Sequence, residues 1–366
     1  MKTYLNKTEK VRETLLFQIG SGQLKVGDRI PPERVLGELG NVSRVTVRRA
    51  LETLEQEGFL KKRGRKGIFI DAIPDHGGDV PAGDGAREIC YVFFSSLRLL
   101  PGGEHTTPAR IYNGIKKSAA KRGDTATLML GSDFLRLGEA GRKAFAGLVV
   151  GGTNLRENLP PVLALETPTV LANTIQPGVN VDAVAIDNYE GGYLAASELH
   201  QDKRTKLLFL SISYAGEDFM QGSYLRKYRG VKDYCFLHGL PKPKLASVRW
   251  REGDAMPTPS GDELEALAGE MEGQRIDGVV CCAESLYWTV DALRAALGTA
   301  GFPRVATFTE GGRQMEDKGN ISLHADMEHI GFEAAEMLYA RMEAPFSDVM
   351  RKLIPINMLK KGTVKW

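Results

Sequence analysis

The chain has 366 residues, of which 42% are hydrophobic and 26% charged, and its mean hydropathy is −0.23. This length allows two or three domains. No run approaches the ~18 apolar residues that a membrane helix needs, and the first seven residues lack the apolar core of a signal peptide, so we expect a cytoplasmic protein. The four cysteines are too few and too irregularly placed for a disulfide framework or a zinc site, and we expect them to be buried.

The net charge of +2 is unevenly distributed along the chain. Residues 1–72 contain 15 Lys and Arg against 9 Asp and Glu, which leaves 33 against 37 for the remainder. A positive N-terminal segment fits an electrostatic footprint on phosphate, with salt-sensitive binding. A basic patch for another acidic partner is the alternative.

The segment from Ser43 to Glu57 has the periodicity of an amphipathic helix. Apolar residues at i, i+3, i+4 and i+7 form one stripe, namely Val47, Ala50, Leu51 and Leu54. Ser43 stands where a helix N-cap accepts a backbone N–H, and the opposite face carries Arg44, Arg48 and Arg49 together with Val45 and Thr46. Guanidinium groups at the start of a helix suit insertion into a nucleic-acid groove, and a solvated surface helix is the alternative.

The segments on either side of this helix favour a DNA-binding fold. Residues 31–39 read as a short helix with proline in its first turn, and the brief turn at Gly40 and Asn41 completes a helix-turn-helix. Residues 59–62 and 68–70 read as two short strands. They are joined by a glycine-containing hairpin with a cationic tip, made of Arg63, Gly64, Arg65, Lys66 and Gly67. Together these elements describe a winged helix.

The stretch from Lys10 to Ile70 resembles the N-terminal domain of the gluconate-repressor-type (GntR) family of bacterial transcription regulators. The resemblance rests on Gly27-Asp28-Arg29-Ile30-Pro31, Glu33-Arg34-Val35-Leu36, Val42-Ser43-Arg44-Val45-Thr46-Val47-Arg48, Glu57-Gly58-Phe59-Leu60 and Gly67-Ile68-Phe69-Ile70. It implies that Arg34, Arg44, Thr46, Arg48 and the wing tip from Gly64 to Gly67 contact DNA. With the neighbouring cap and cations, the candidate DNA-binding residues are Arg34, Ser43, Arg44, Thr46, Arg48, Arg49, Arg63, Gly64, Arg65 and Lys66.

Residues 73–86 have the composition of a flexible linker, because nine of the fourteen are Gly, Pro or Asp. From Arg87 onward short apolar runs alternate with helical patterns. We predict strands at 89–94, 125–130, 147–150, 169–172, 183–186, 206–210, 246–250, 278–282 and 304–308, and helices at 111–122, 189–200, 224–238, 262–272 and 287–300. This alternation favours parallel sheets covered on both faces, and about 280 residues favour two lobes. Later residues with helical spacing read as core or as a dimer face: Ile330, Ala334, Met337, Leu338 and Met342.

Most of residues 87–362 resembles the effector-binding domain of the lactose-repressor-type (LacI) family, itself similar to the type I periplasmic sugar-binding proteins. The motifs include Ile111-Tyr112-Asn113-Gly114-Ile115, Gly147-Leu148-Val149-Val150, Asp187-Asn188-Tyr189-Glu190-Gly191-Gly192, Arg226-Lys227-Tyr228-Arg229-Gly230 and Asp277-Gly278-Val279-Val280-Cys281-Cys282-Ala283-Glu284. The resemblance implies a two-lobed domain that closes on a sugar-like molecule at the carboxyl ends of its strands.

The family positions that bind sugar hydroxyls fall here on Asn173, Lys227 with Arg226 beside it, Glu284 after Ala283, and Glu310, and the first strand ends in Ser95 and Ser96. Ala283 removes the expected amide, and Lys227 replaces a planar guanidinium by a point charge, so the chemistry differs from the family pattern. The candidate effector-binding residues are Ser95, Ser96, Asn173, Arg226, Lys227, Glu284 and Glu310.

Four of these side chains also have a plain structural interpretation. Asn173 could cap a loop, Glu284 and Glu310 could be solvated acids, and Arg226 could pair with a nearby acid. Tyr287 and Trp288 open a helix, where core packing is favoured over stacking on a sugar ring.

Because the sequence contains no Walker loop, HExxH motif or GxSxG elbow, we expect no enzyme, catalytic residue, cofactor or metal. We predict an α/β protein with a winged helix-turn-helix at 1–72, a linker at 73–86 and an effector-binding and dimerisation domain at 87–366. The expected function is transcription regulation, as a dimeric repressor of double-stranded operator DNA, controlled by a sugar or sugar derivative bound between two lobes. The alternatives are a small-molecule-binding module without a DNA role and an enzyme acting on a sugar or nucleotide.

Overall fold

A computed structural model of the chain describes residues 11–12, 15, 27–40, 43–64, 67–71, 86–94, 106–152, 155–214, 222–251, 257–298, 302–310 and 320–358. The chain forms two compact units. Unit 1 consists of Met1–Val184 and Met327–Lys352, and unit 2 of Ala185–Asp326 and Leu353–Trp366. The predicted domain limits at residues 72 and 86 stay a prediction.

The N-terminal elements are α1 (Glu33–Gly40), α2 (Arg44–Gln56), β1 (Leu60–Lys62) and β2 (Ile68–Ile70). The predicted apolar stripe of α2 is buried, and it packs in one core with Leu15, Ile30, Leu60 and Ile70. β1 and β2 pair antiparallel, with Lys61 opposite Phe69, which confirms the predicted hairpin. The backbone of Arg29 adds a short bridge to Phe69 on the other side of β2.

The elements that follow, up to residue 201, are β3 (Glu88–Phe94), α3 (Thr107–Ala120), β4 (Thr125–Leu130), α4 (Gly131–Arg136), α5 (Glu139–Lys143), β5 (Gly147–Gly152), α6 (Leu155–Leu163), β6 (Thr169–Ala172), β7 (Asp182–Ile186) and α7 (Asn188–Gln201). Then come β8 (Leu207–Tyr214), α8 (Gly222–Leu237), β9 (Lys244–Trp250), α9 (Gly261–Gln274), β10 (Gly278–Cys281), a short 3-10 helix (Glu284–Leu286) and α10 (Tyr287–Leu297). The last are β11 (Arg304–Thr309), β12 (Ile321–His324), α11 (Met327–Glu343), β13 (Arg351–Ile354) and β14 (Asn357–Met358).

Two six-stranded sheets organise these elements. The first has the order β13-β7-β6-β5-β3-β4, and its pairs from β7 to β4 are parallel. The second has the order β14-β12-β11-β10-β8-β9, and its pairs are parallel except for β12 with β14. The prediction of an α/β fold with parallel sheets is confirmed. In a parallel sheet the carboxyl ends of the strands lie at one edge, so the residues that follow β10 and β11 are neighbours.

Among the described residues of each unit, one pair of helices touches at two glycines. In unit 1, a Cβ atom on Gly114 of α3 would overlap the backbone oxygen of Glu328 in α11, and one on Gly331 would overlap that of Ile111. In unit 2, Gly192 of α7 lies in the same way against Lys227 of α8, and Gly230 lies against Tyr189. These close backbone approaches need glycine because any side chain would force the helices apart.

Several further predictions are settled by this fold. All four cysteines are buried, as expected. Ile330, Ala334, Met337 and Leu338 are buried on α11, which confirms that they are core residues, whereas Met342 is half-buried. The favoured core packing of Tyr287 and Trp288 is wrong, because 38% and 55% of their surfaces are exposed and their rings contact each other edge-on at 5.1 Å.

Candidate nucleic-acid interface and ligand site

The start of α2 is fixed by its N-cap. The Ser43 hydroxyl accepts a hydrogen bond from the Thr46 backbone N–H at 3.2 Å, and the two hydroxyl oxygens are 2.8 Å apart. This confirms Ser43 as the N-cap, and it leaves the positive end of the helix dipole beside three arginines. Arg44, Arg48 and Arg49 are all exposed, opposite the buried stripe. The first turn contains no acidic residue, so this end of the helix suits an anion.

Arg48 has a partner that the sequence did not indicate. Its Nε donates to Oε1 of Glu33 at 3.0 Å, and its Nη2 donates to Oε2 at 2.8 Å. The Glu33 carboxylate lies in the first turn of α1, so this pair joins the two helices of the helix-turn-helix. The hydrogen bond from Arg48 holds the pKa of the Glu33 carboxyl below its ordinary value, and the pair is therefore ionised at neutral pH. Arg34, the next residue, is exposed.

The wing presents a smaller cationic surface in the part that the structure describes. Arg63 is exposed, and its guanidinium carbon lies 4.9 Å from the centroid of the Phe69 ring. Gly64 and Gly67 both have positive φ angles, of 53° and 111°, which the turn requires. The predicted contacts Arg65 and Lys66 lie outside the described residues.

In unit 1 the described effector candidate is Asn173, which follows β6 directly. It is half-buried and has a φ of 60°, in the left-handed region that asparagine tolerates better than most residues. Its backbone N–H donates to the Val184 oxygen at 2.7 Å, which fixes the turn after the strand. The other two candidates of this unit, Ser95 and Ser96, lie outside the described residues.

In unit 2, Lys227 is an internal residue. It is 5% exposed, its Nζ donates to the backbone oxygen of Cys282 at 2.9 Å, and the same atom lies 4.2 Å from the centroid of the Phe308 ring. Burial lowers the pKa of the Lys227 ammonium, while the charge of Glu310 acts in the opposite direction. Burial also raises the pKa of the neighbouring Cys282 thiol to about 12, so that thiol is protonated at neutral pH.

The two acidic candidates lie together at the same edge of the second sheet. Glu284 begins the 3-10 helix after β10, and Glu310 follows β11. An Oε2 atom of Glu284 accepts the backbone N–H of Glu310 at 3.2 Å, and both side chains are half-buried. Arg226, by contrast, is exposed on α8. The structure therefore brings Lys227, Glu284 and Glu310 to one strand edge.

The described residues contain neither a metal-binding cluster nor a membrane-spanning helix. No group of three or more His, Cys, Asp or Glu side chains among them is arranged to hold a metal ion. None of the helices in the described part of the chain has both the length and the apolar character needed to cross a bilayer.

Comparisons with known proteins separate the two parts of the chain. Residues 7–70 match the family model for bacterial regulatory proteins of the gntR family. The HTH-type transcriptional regulator GgaR from Escherichia coli (strain K12) is 41% identical over 64 residues, which are 18% of this chain and 26% of that protein. The chain thus spans about a quarter of the length of the curated relatives that it matches.

The solved structures extend the likeness to most of the chain. A complex of the transcriptional regulator CelR with cellobiose has a TM-score of 0.58 and 16% identity, covering 90% of this chain and 99% of that one. The transcription regulator CcpA of Lactococcus lactis has a TM-score of 0.58 and 14% identity, covering 76% of this chain and all of that one (100%). At these identities the comparison shows the fold, which is that of the LacI-type regulators with their periplasmic-binding-protein-like domain.

Proposed function

We propose that the whole chain is a sequence-specific, DNA-binding transcription regulator controlled by a small molecule, and the match of residues 7–70 to the gntR family model supports this proposal. The observation that carries this proposal is the outward face of α2. On that face Arg44, Arg48 and Arg49 are exposed, and they follow the N-cap Ser43. The apolar stripe on the opposite face of α2 is buried. Such a helix fits the major groove, where guanidinium groups reach base edges and phosphates.

The DNA-binding part of the proposal is tested with the purified full chain. Genomic fragments that the chain retains are selected, a binding site is mapped by footprinting, and its affinity is measured by fluorescence anisotropy between 50 and 200 mM salt. We expect specific binding that weakens by roughly 0.9 log units per log unit of salt for each phosphate contacted. A chain that binds all fragments alike, or none, would contradict the proposal.

The sensing part of the proposal keeps the seven effector-binding candidates of the sequence. We include Asn173 of unit 1 and Glu284 and Glu310 of unit 2 among the effector-binding residues, with Arg226, Lys227 and the serines after β3. Half-buried carboxylates and amides at strand ends suit a polyhydroxylated ligand, since they accept or donate paired hydrogen bonds. The cellobiose complex with the same fold supports a sugar or sugar derivative.

The effector is sought by thermal shift, with pentoses, hexoses, sugar acids and sugar phosphates as probes. A ligand at 100 times its Kd stabilises the folded chain by about 2.7 kcal/mol, which gives a measurable rise in Tm. The same ligand must then change the affinity for the mapped DNA site, because control requires unequal affinity for two states. A ligand that stabilises the chain without affecting DNA binding would contradict this part of the proposal.

The proposal includes a homodimer that binds a palindromic operator and acts as a repressor in the cytoplasm, with no enzymatic activity. Light scattering of the chain alone and on its operator measures the stoichiometry, and two copies per palindrome are expected. A reporter gene behind the operator measures the sign of regulation. Incubation of the effector with the chain, followed by mass spectrometry, checks that the ligand is returned unchanged.

A further inference from the structure

The Glu33–Arg48 pair has a geometry that bears on how DNA sequence would be read. Both carboxylate oxygens of Glu33 are used, one by Nε and one by Nη2 of Arg48, at 3.0 and 2.8 Å. The Arg48 side chain nevertheless remains 59% exposed, and that of Glu33 30%. The pair thus lies at the surface of the helix-turn-helix, with the guanidinium held on one side only.

A guanidinium has five N–H groups arranged along more than one edge. Arg48 donates to Glu33 through its Nε hydrogen and one Nη2 hydrogen, so both Nη1 hydrogens and the second Nη2 hydrogen remain as donors for another partner. These remaining donors lie along the far edge of the plane, and two parallel donors match the O6 and N7 acceptors of guanine. A carboxylate on the near edge therefore orients the guanidinium without using the donors that would read a base.

Arg48 is also well placed for such a contact. It lies one helical turn beyond Arg44, so the two side chains share a face of α2. A free arginine side chain loses rotamer entropy when it is fixed on a base, whereas a paired one is already restricted.

We infer that Glu33 is a positioning residue that fixes the plane of Arg48 so that its outer edge reads a guanine, and that Glu33 raises sequence discrimination while it lowers the affinity for unrelated DNA. This inference rests on the proposed DNA-binding function. A carboxylate near DNA repels phosphate, so its presence weakens binding to every sequence. Removing it should therefore raise the affinity for unrelated DNA while lowering the ratio between operator and unrelated DNA.

A purely structural role predicts a different result. Glu33 lies in the first turn of α1, where a negative charge stabilises the helix through its dipole. If helix stabilisation were the only effect of Glu33, removing its charge would lower Tm and would change the affinity for all DNA sequences by the same factor. The readout that separates the two roles is thus the discrimination ratio at a single base pair.

The experiment uses the full chain and its mapped operator. The guanine in question is first located as the position at which Arg48→Ala lowers most strongly, without abolishing, the ratio of affinities for the operator and a substituted site. Fluorescence anisotropy then gives the ratio of affinities for these two sites with Glu33→Gln and with Glu33→Asp. Glu33→Gln keeps the size of the side chain and removes its charge. Glu33→Asp keeps the charge and shortens the side chain. The matched control is Glu52→Gln, an exposed acid one turn beyond Arg48 on α2.

For Glu33→Gln and Glu33→Asp we expect the ratio to fall about fivefold or more, while Glu33→Gln binds unrelated DNA more tightly than the wild type. Glu52→Gln should raise both affinities and leave the ratio unchanged. The double variant Glu33→Gln/Arg48→Ala should discriminate no worse than Arg48→Ala alone, because the two residues act as one.

The inference is overturned if Glu33→Gln behaves like Glu52→Gln, or if the double variant loses discrimination additively. These outcomes leave the proposed function intact, because the wild-type chain still prefers its operator. A wild-type chain without any preference among DNA sequences would instead remove both.

Discussion

The ammonium nitrogen of Lys227 lies between a backbone carbonyl and an aromatic face, donating to the Cys282 oxygen at 2.9 Å while 4.2 Å from the Phe308 centroid. A carbonyl and a ring offset only part of the cost of removing a cation from water. The lowered pKa of Lys227, which is caused by burial, agrees with this incomplete compensation.

Lys227→Met should therefore raise the free energy of unfolding, by about 1–3 kcal/mol at pH 7. Folding lowers the pKa of Lys227, so between the folded pKa and the unfolded value of about 10.4 the unfolded chain binds more protons than the folded chain. The free-energy cost of burying the ammonium therefore falls as pH rises through that range. The advantage of the variant should shrink over that window. Urea denaturation at pH 7 and pH 9 measures the difference in the free energy of unfolding between Lys227→Met and the wild type. The control is Lys232→Met, because Lys232 is exposed on the same helix. A less stable Lys227→Met chain would show that the ammonium is well compensated.

The helix crossing in unit 2 gives a second prediction. Gly192→Ala would place a methyl group on the Lys227 backbone, and we expect a loss of about 1–3 kcal/mol or more. Gly269→Ala on α9 is the matched control, because a Cβ there meets nothing within 4 Å, and it should stabilise the chain by up to about 1 kcal/mol. Equal stability of the two variants in chemical denaturation would mean that α7 and α8 separate without cost.

The cations of α2 give a third prediction. Arg44→Ala should weaken binding to the mapped operator by about 1–3 kcal/mol if the side chain reads a base. If it contacts phosphate only, the loss should be similar on all sequences and the salt slope should fall by about 1. Arg136→Ala, which removes an exposed arginine of α4, should change neither quantity. Unaltered operator binding by Arg44→Ala would show that α2 is not the recognition helix.

An acidic group of unit 1 gives a prediction on pH. Glu336 accepts hydrogen bonds from Arg122 at 2.8 and 3.0 Å and from Ser118 at 2.7 Å, and the Arg122 hydrogen bond is the largest cause of its lowered pKa. A carboxyl with a lowered pKa stabilises the fold above its unfolded pKa, and this contribution is lost as pH falls through the folded value.

Glu336→Gln should thus lower stability by about 0.5–1 kcal/mol at pH 7, a small figure because the pair is partly solvated. The difference from the wild type should disappear as pH falls below the ordinary value of about 4.3 for a glutamate. Thermal melts from pH 3 to pH 7 follow this change. Glu343→Gln, exposed at the end of the same helix, serves as control, and a difference that is constant with pH would rule out the ion pair as its cause.

Apolar runs made the strands predictable. The predicted bounds of β4 and β6 are those observed, since both are short apolar runs between polar turns. Helix α6 was not predicted, because Pro160 and Pro161 lie inside it. Its buried residues Leu155, Leu159 and Val162 have helical spacing, so burial of that face outweighed the two missing N–H donors.

Side-chain partners were less predictable than elements. The spacing of α2 indicated which residues face outward, but no spacing rule links Arg48 to a glutamate in another helix. Burial of Lys227 was equally hidden, because a lysine in an amphipathic pattern is ordinarily read as solvated. Its position depends on the close approach of α7 and α8 at Gly192, a tertiary relationship.

The hydrogen-bonded link between Glu33 and Arg48 has a consequence for building chimeric regulators. A graft limited to residues 43–57 would install an arginine whose carboxylate stays behind in the donor protein, and the recipient's own first helix would have to supply one. We therefore expect operator preference to transfer cleanly only when residues 33–57 are exchanged as a single cassette.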